Sequence, residues 1–310
     1  METSNDTKAV RTKKINTNVF FGIMKLNYWL WLQGIPRIGP ATFNKLLKRF
    51  GEPKEVFYAK RKELINVISE KLIDSIFESK NDLEKTEHIL FTLKQRGFRI
   101  ITIHNPEYPP RLTHLPNPPP ILYIYGDLPA KTRNIAIIGA RLASQSGLEK
   151  AFKFAYKLAK VGWTIVSGYA KGIDTQAHLG AIKSGGQTIM VLPTGVFNFR
   201  IHKEFRNVEN KLFNQGTILS EFFPLAGWST AQAILRNRLT SALSDAVLVI
   251  DPGIKGGTLS TARWAKRQDK LVFINGKAIC SPNQRTKEIL ALGAIPVKDS
   301  EDLMNKFSVL

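Results

Sequence analysis

The stretch that decides the fold is IAIIGARLASQSGLEKAFKFAYKLAKVGWTIVSGYAKGID, residues 135–174. A short apolar run at 135–138 is followed by a glycine-containing loop, a helical pattern over 148–161 and a second apolar run, TIVS, at 164–167. Apolar residues recur three and four positions apart in the middle part, which is typical of a helix that buries one face. Short, near-continuous apolar runs on either side indicate strands buried on both faces. The stretch therefore predicts a β–α–β unit with parallel strands.

The same alternation continues toward the C-terminus. Further β-rich runs are TIMVL (188–192), TILS (217–220), AVLVI (246–250) and LVFI (271–274), with helical patterns between them. Strands that alternate with helices form a parallel sheet covered by helices on both faces. We therefore predict an α/β domain over 134–310 with a mostly parallel sheet.

The N-terminal part has a different pattern. Residues 1–24 are predicted to be a disordered leader, and residues 25–99 show helical periodicity punctuated by Gly and Pro, which predicts a small all-α domain. Within it, 32–50 resembles a helix-hairpin-helix, which can offer backbone N–H groups to a phosphate. Residues 100–133 are rich in proline and are predicted to form an extended connector with one short strand at 121–125.

The charge balance indicates a polyanionic partner. The 310 residues include 45 Lys and Arg against 25 Asp and Glu, a formal charge of +20, of which +11 lies within 134–280. Because the excess is spread over folded segments, nucleic acid is the first candidate and a membrane surface the second, beside a basic protein without such a partner. No apolar run reaches the ~20 residues that cross a bilayer, and no signal peptide is recognisable. We therefore expect a cytoplasmic protein, and because nucleic acid is the first candidate partner we expect no membrane partner.

Three loops after predicted strands combine glycine with small polar or basic residues. They are IAIIGARLASQSG (135–147), VSGYAKGID (166–174) and DPGIKGGTLSTA (251–262). In an open parallel sheet, ligands bind at the carboxyl ends of the strands, where helix N-termini point. One such loop is ordinary turn chemistry, but three together favour backbone N–H groups that converge on a phosphate.

A fourth basic cluster is Arg236-Asn237-Arg238. We predict that it lies at the start of a helix, where it contacts phosphates and bases, and the alternative is a solvated basic face. Neither the dinucleotide fingerprint nor the nucleotide-triphosphate loop is present, and no G-x-S-x-G elbow surrounds a serine. A single cysteine excludes a Cys-based zinc site. The sequence therefore indicates a binding protein without a cofactor, a metal or a catalytic constellation. Phe197 and Phe199 are candidates to stack on bases.

These motifs together resemble the DprA/Smf family of DNA-processing proteins, and the resemblance covers nearly the whole chain. The family's G-S-R corresponds to Gly139-Ala140-Arg141, and its S-G-x-A-x-G-I-D-x-x-A-H corresponds to 167–178. L-S-E-F follows at 219–222, R-N-R at 236–238 and S-G-[ST]-L-x-T-A at 256–262. The resemblance implies an extended Rossmann-like domain after a SAM-like helical domain.

The resemblance also implies a non-enzymatic protein that binds single-stranded DNA, protects it and loads the RecA recombinase onto it in natural transformation (competence) and DNA recombination. Such proteins form homodimers. The residues we expect to bind DNA combine the loop residues with the basic and aromatic candidates: Gly139, Arg141, Ser144, Ser167, Gly168, Lys171, Gly172, Asp174, Phe197, Phe199, Arg200, Arg236, Asn237, Arg238, Gly256, Gly257, Thr258 and Ser260.

The sequence departs from the family pattern at several points. Ala140 replaces the hydroxyl residue of G-S-R, the loop 196–205 lacks the usual Tyr-Pro pair, and 229–235 lacks the aromatic and proline that precede R-N-R. No winged-helix domain is expected after 310. A rival interpretation is a Rossmann-like enzyme of the LOG phosphoribohydrolase type, but the glutamate that serves catalysis there has no counterpart after Thr258.

Overall fold

The computed structural model describes residues 17–129, 132–254, 256–280 and 282–309. The chain divides into two compact units. The first contains the described residues up to Ile38 together with 45–92, and the second contains 39–44 and the described residues from Leu93 onward.

The first unit is helical, as the periodicity predicts. Its buried side chains include Trp29, Leu46, Leu64 and Ile73, and the indole N–H of Trp31 donates to the backbone oxygen of Ser79 at 2.9 Å. The helices of this part of the chain are α1 (Thr17–Gly34), α2 (Pro40–Phe50), α3 (Pro53–Tyr58), α4 (Arg61–Leu64), α5 (Glu70–Glu78) and α6 (Leu83–Gln95).

The second unit is built on one large sheet. Its strands are β1 (Arg99–Thr102), β2 (Ile121–Tyr125), β3 (Asn134–Ile138), β4 (Thr164–Ser167), β5 (Thr188–Val191), β6 (Gly216–Ser220), β7 (Ala246–Val249), β8 (Leu271–Asn275) and β9 (Ile295–Val297). Their spatial order is β1-β2-β6-β5-β4-β3-β7-β8-β9. The pairs β1–β2 and β2–β6 are antiparallel, and the pairs from β6 to β9 are parallel. The predicted mostly parallel sheet is confirmed, with strands at all six predicted runs.

Helices cover both faces of this sheet because alternate residues of each strand point to opposite sides. Ile135 and Ile137 of β3 pack into one hydrophobic cluster, whereas Ala136 and Ile138 pack into another on the opposite face. The helices of this unit are α7 (Pro110–Thr113), α8 (Gln145–Lys160), α9 (Ile173–Lys183), α10 (Glu209–Gln215), α11 (Thr230–Ala242), α12 (Thr258–Arg267), α13 (Gly276–Ile279), α14 (Gln284–Ala291) and α15 (Ser300–Val309). Residues of α8, α9 and α15 join the first cluster, and residues of α12 and α14 join the second.

The structure differs from the predicted connector at 100–133. This segment contributes β2 and most of β1 to the sheet, and Leu112 of α7 is fully buried in a cluster with residues of β5 and β6. The guanidinium of Arg111 also forms a two-pronged ion pair with Asp245, which precedes β7. Proline removes a backbone donor and fixes φ, but loops and edge strands tolerate both effects. The segment is therefore a packed part of the α/β unit.

The predicted disordered leader also differs where it can be compared. Residues 1–16 lie outside the described residues, whereas α1 begins at Thr17, inside the range predicted as leader. The stretch VFFGIM (19–24) is apolar and contains no proline, so nothing in its sequence stops a helix. No helix among the described residues is long and apolar enough to cross a membrane.

Candidate functional site

The candidate site lies where the direction of the sheet's winding reverses. From β3 the chain passes through α8 to β4 on one side, whereas β7, which the chain reaches much later, pairs with β3 on the other side. Ligands of open α/β sheets bind in the crevice outside the carboxyl ends of the strands at this point. A cavity of about 1360 Å³ opens here, lined by residues that follow β3, β4 and β7 and by residues of α11 and α12.

Two glycines allow the loops beside this cavity to approach closely. A Cβ added at Gly139 would come within 2.8 Å of the backbone oxygen of Asp251, and one added at Gly172 within 2.5 Å of the backbone oxygens of Ala140 and Arg141. Gly172 also has a φ of +81°, a left-handed conformation that favours glycine. The amide of Ala140 donates to the Asp251 oxygen at 2.7 Å, which joins the β3 and β7 loops. The glycines of the family motifs therefore serve backbone packing at the cavity wall.

Arg236 forms part of the cavity lining, yet it is 6% exposed and most of its donors are engaged. Its guanidinium donates to the backbone oxygens of Gly168, after β4, and Val191, at the end of β5. Burial lowers the pKa of Arg236 to about 10, and the nearby carboxylate of Asp174 opposes this shift. Burial in turn raises the pKa of Asp174, while Arg236 lowers it. Arg236 therefore joins the carboxyl ends of two strands and balances a buried carboxylate.

Arg238 is not placed at the cavity. It is 4% exposed, and its guanidinium donates to both carboxylate oxygens of Glu221 at 2.8 and 2.6 Å. The predicted position of R-N-R at a helix start is wrong, because α11 begins at Thr230 with Ser229 as its N-cap. The alternative of a solvated basic face is also wrong, since residues 236–238 are all buried. Arg238 lies two residues beyond Arg236, so the two side chains leave the helix in different directions.

The exposed cations of the cavity come largely from outside the predicted set. Arg141 is exposed, and its Cζ lies 5.6 Å from the ring centroid of Trp228. Arg267 of α12 lies 5.2 Å from the ring centroid of Trp264. Among the described residues, five arginines line the cavity and only two aspartates do: Arg141, Arg236, Arg263, Arg267, Arg285, Asp174 and Asp251. The cavity is therefore strongly basic.

The sequence predictions missed Arg263, Arg267, Arg285 and both tryptophans. A signal for three of them was present in α12, where Ser260, Arg263, Trp264 and Arg267 are spaced three and four residues apart. This spacing places side chains on one face of a helix. The predictions ended at Ser260, in the first turn of α12, and did not follow that face along the rest of the helix.

Ten of the predicted residues line the cavity: Gly139, Arg141, Gly168, Asp174, Arg236, Asn237, Gly256, Gly257, Thr258 and Ser260. Asn237 also donates to the backbone oxygen of Gly257 at 3.2 Å, which joins α11 to the loop before α12. These residues come from four separate segments of the sequence. The fold brings them together as the parallel-sheet argument predicts.

Four other predicted loop residues lie outside the cavity lining. The Ser144 hydroxyl caps α8 by accepting from the amide of Gly147 at 3.1 Å. Ser167 is fully buried and donates to the backbone oxygen of Ile137 at 2.6 Å. Gly172 supports the close loop approach described above, while Lys171, beside it, is exposed. None of the four lines the cavity in the described structure, and their contact with DNA stays a prediction.

Phe197, Phe199 and Arg200 form a separate cluster around Tyr169. The Phe199 ring lies 5.1 Å from the Tyr169 ring, and the Arg96 guanidinium lies 4.8 Å from the Phe197 ring centroid. Arg200 donates to the backbone oxygens of both phenylalanines at 2.9 and 2.7 Å. The described structure does not place these three side chains in the cavity lining. Stacking of the two phenylalanines on bases and DNA binding by Arg200 stay predictions.

Among the described residues, no group of three or more His, Cys, Asp or Glu side chains is placed to hold a metal ion. His178 follows Asp174 by one helical turn on α9, but its Nδ1 is hydrogen-bonded to the Thr188 hydroxyl at 2.7 Å. Burial lowers the pKa of His178 to about 3. The histidine is therefore a neutral, buried part of the sheet–helix contact.

The fold and the site define a doubly wound α/β protein with a basic, arginine-lined cavity at its switch point. The family model described as DNA recombination-mediator protein A matches residues 99–308. The chain belongs to this family, DprA/Smf, which confirms the resemblance found in the motifs.

Individual relatives agree with this assignment. Protein Smf of Synechocystis is 30% identical over 88% of this chain and 74% of its own length. DNA processing protein DprA of Bacillus subtilis is 30% identical over 73% of this chain and 78% of its own length.

Solved structures agree as well. The X-ray structure of DNA processing protein A from Streptococcus pneumoniae matches with a TM-score of 0.74 and 24% identity, over 90% of this chain and 97% of that one, and shows the same fold. A structure of DNA processing protein A from Helicobacter pylori, described by its single-stranded DNA binding mode, matches with a TM-score of 0.56 and 30% identity over 68% of this chain and 96% of that one.

Proposed function

We propose that this protein binds single-stranded DNA in the switch-point cavity and acts as a DNA-processing protein in transformation and recombination. The observation that carries the proposal is the cavity itself, whose lining contains more arginines than aspartates together with aromatic and apolar side chains. Family membership supports it, as does the single-stranded DNA binding described for the Helicobacter pylori relative.

The arginines whose side chains reach solvent would bind the phosphates. Arg141 and Arg267 each lie over a tryptophan ring, whereas Arg263 has Glu288 at 3.6 Å as a partial counter-charge. Guanidinium groups suit phosphate oxygens because their planar donors can form two parallel hydrogen bonds. The loop at Gly256 and Gly257, which precedes α12, adds backbone donors near the start of a helix.

A preference for single strands follows from the mixed character of the lining. In a duplex the bases are paired and stacked, so a protein meets mainly the phosphate backbone and the groove edges. An unpaired strand offers its base faces as well, and aromatic side chains bind those faces. The exposed indole of Trp228 beside Arg141 would use both chemistries at once.

A catalytic role is not favoured by the carboxylates of the site. Asp174 is buried beside Arg236, and Asp251 accepts from the backbone amides of Ser144 at 3.3 Å and Gly253 at 3.1 Å. Both therefore support loops, and α12 carries no carboxylate after Thr258 where the rival phosphoribohydrolase interpretation requires one. We propose a binding protein without enzymatic activity.

The partners expected from the family are part of the proposal. They are the RecA recombinase, onto which the bound strand would be passed, and a second copy of this chain in a homodimer. Co-sedimentation of the protein–DNA complex with RecA tests the first partner, and light scattering of the purified protein tests the second.

Fluorescence anisotropy with a labelled oligo(dT) and a duplex of equal length tests the central claim. We expect tighter binding of oligo(dT) and a steep loss of affinity with salt, about 0.7 decades per decade of salt for each phosphate contacted. Nucleotide hydrolysis should be absent in the same preparation. Equal affinity for the duplex, or binding that does not change with salt, would contradict the proposal.

A further inference from the structure

Two tryptophans stand out in the cavity because each carries a guanidinium over its ring. We propose that Trp228 and Trp264 are base-stacking platforms that hold unpaired nucleobases while the neighbouring arginines bind the adjacent phosphates. This inference rests on the proposed binding of single-stranded DNA, and it assigns the base-binding surface to residues outside the family motifs matched above.

Trp228 lies on the segment between β6 and α11, and its side chain lines the cavity. The residue is 55% exposed, although tryptophan side chains are usually highly buried. Arg141, which follows β3, lies 5.6 Å from its ring centroid. An accessible indole with a cation nearby offers an aromatic face to a base and a positive charge to the phosphate beside that base.

Trp264 repeats the same arrangement on a different element. It lies on α12, with Arg267 three residues further along the helix and 5.2 Å from its ring centroid. Its side chain lines the same cavity as Trp228. Because the two pairs come from separate segments of the chain, local sequence alone does not explain their convergence on one cavity.

Apolar side chains around the tryptophans support the same conclusion. Leu142 is 97% exposed, Ile254 79% and Ile234 48%, and all three line the cavity. Apolar side chains that stay accessible in one concave surface indicate a binding site. Because arginines belong to the same lining, the cavity suits an occupant that combines apolar faces with negative charge, as an unpaired nucleic acid strand does.

The cavity tryptophans are better placed for this role than Phe197 or Phe199. Those rings contact Arg96 and Tyr169, and they do not line the cavity in the described structure. Stacking on an indole requires no particular hydrogen-bond pattern on the base. The platforms would therefore accept all four bases and discriminate between a strand with bases and one without.

The test uses fluorescence anisotropy on the whole 310-residue chain. It compares two probes with equal phosphate content, a labelled oligo(dT) and an abasic oligomer of the same length. Wild-type protein should prefer oligo(dT) by roughly 5- to 150-fold for each stacked base. Trp228→Ala should lower the affinity for oligo(dT) by most of the factor that one stacked base contributes. Its affinity for the abasic oligomer should equal that of wild type. Trp228→Phe should keep part of the preference, and Trp264→Leu should lower it independently.

Val161→Ala is the control, since Val161 is 59% exposed but lies between α8 and β4, at the amino ends of the strands and away from the carboxyl ends where the cavity opens. Circular dichroism and thermal melting check that each variant folds. Equal wild-type affinity for both probes would overturn the inference and leave the proposed function standing. Equal losses on both probes in Trp228→Ala would also overturn it, because the indole would then act only by holding Arg141. Failure of wild-type protein to bind oligo(dT) would instead overturn the proposed function itself.

Discussion

The molecule uses its charged residues in two contrasting regions. The buried charge layer consists of Asp174, Glu221, Arg236 and Arg238, all of which are less than 10% exposed. The cavity rim consists of two arginine–tryptophan pairs, in which Arg141, Trp228 and Arg267 are exposed and Trp264 is half-buried: Arg141 with Trp228, and Arg267 with Trp264.

The contrast shows that a basic motif need not be a ligand contact. A buried guanidinium must find hydrogen-bond acceptors inside the protein, because its desolvation is otherwise too costly. Arg238 finds Glu221, and Arg236 finds two strand-end oxygens. An exposed guanidinium that lies over an aromatic ring still has N–H groups that can donate to a phosphate. The buried layer should therefore govern folding, and the rim should govern binding.

The largest expected effect comes from breaking the buried pair. Arg238→Ala leaves Glu221 buried without its bidentate partner, which should cost about 3–5 kcal/mol of unfolding free energy. Chemical denaturation followed by circular dichroism measures the change in the free energy of unfolding. The double variant Arg238→Met with Glu221→Leu removes both charges and should recover much of the loss. If Arg238→Ala folds with wild-type stability but loses DNA binding, the division between the two regions is wrong.

A rim substitution should change affinity without changing stability. Arg141→Ala should weaken oligo(dT) binding by roughly 1–3 kcal/mol, because a charge-assisted contact is lost. Arg141→Lys should recover only part, since lysine keeps the charge but lacks the planar fork. Lys160→Ala is the control, because Lys160 is an exposed cation at the end of α8, away from the carboxyl ends of the strands. Anisotropy titrations at one salt concentration give all three values; wild-type affinity in Arg141→Ala would place the binding site elsewhere.

A third prediction concerns the pH dependence of the free energy of unfolding, which buried His178 should influence. The pKa of His178 falls from 6.5 to about 3 on folding, so the unfolded chain binds the proton more readily between these values. Stability contributed by the neutral imidazole is fully present above pH 6.5 and is lost as the pH falls, by about 1.4 kcal/mol per unit.

Denaturation curves at pH 6.5 and 5.5 measure the slope. His178→Gln should have a smaller slope than wild type, whatever its absolute stability. The raised pKa of Asp174 acts in the opposite direction, so the difference between the two proteins is the informative quantity. Identical slopes would contradict this, because His178 would then bind the proton equally in the folded and the unfolded chain.

The smallest effect should distinguish two arginines on the same helix. Arg267→Ala should reduce the slope of log affinity against log salt by about 0.7, the value for one phosphate contact on a single strand. Arg263→Ala should change it less, because Glu288 already lies 3.6 Å from that guanidinium. Titrations at four salt concentrations resolve the two slopes. A larger change for Arg263 than for Arg267 would contradict the assignment of the phosphate contact to Arg267.

Much of the fold and part of the site could be predicted because their causes are local. Buried apolar runs such as 135–138 and 246–250 require a strand covered on both faces, and glycine is required where the backbones at Gly139 and Gly172 approach. Strand order then brings the carboxyl ends together, and ten predicted residues do line one cavity.

Only the tertiary structure decided which charges face solvent and which segments join the sheet. Arg236, Arg238 and Arg267 have the same side chain, and their roles differ because Glu221 and the strand-end oxygens surround the first two, whereas Trp264 lies beside the third. These neighbours are far apart in sequence or depend on which face of a helix is buried, so residue type and spacing did not assign them. The proline-rich segment at 100–133 joined the sheet because β6 offered β2 an open edge to pair with. Sequence determined the chemistry available at the site, and the packing of distant strands and helices determined which of it remains accessible to a ligand.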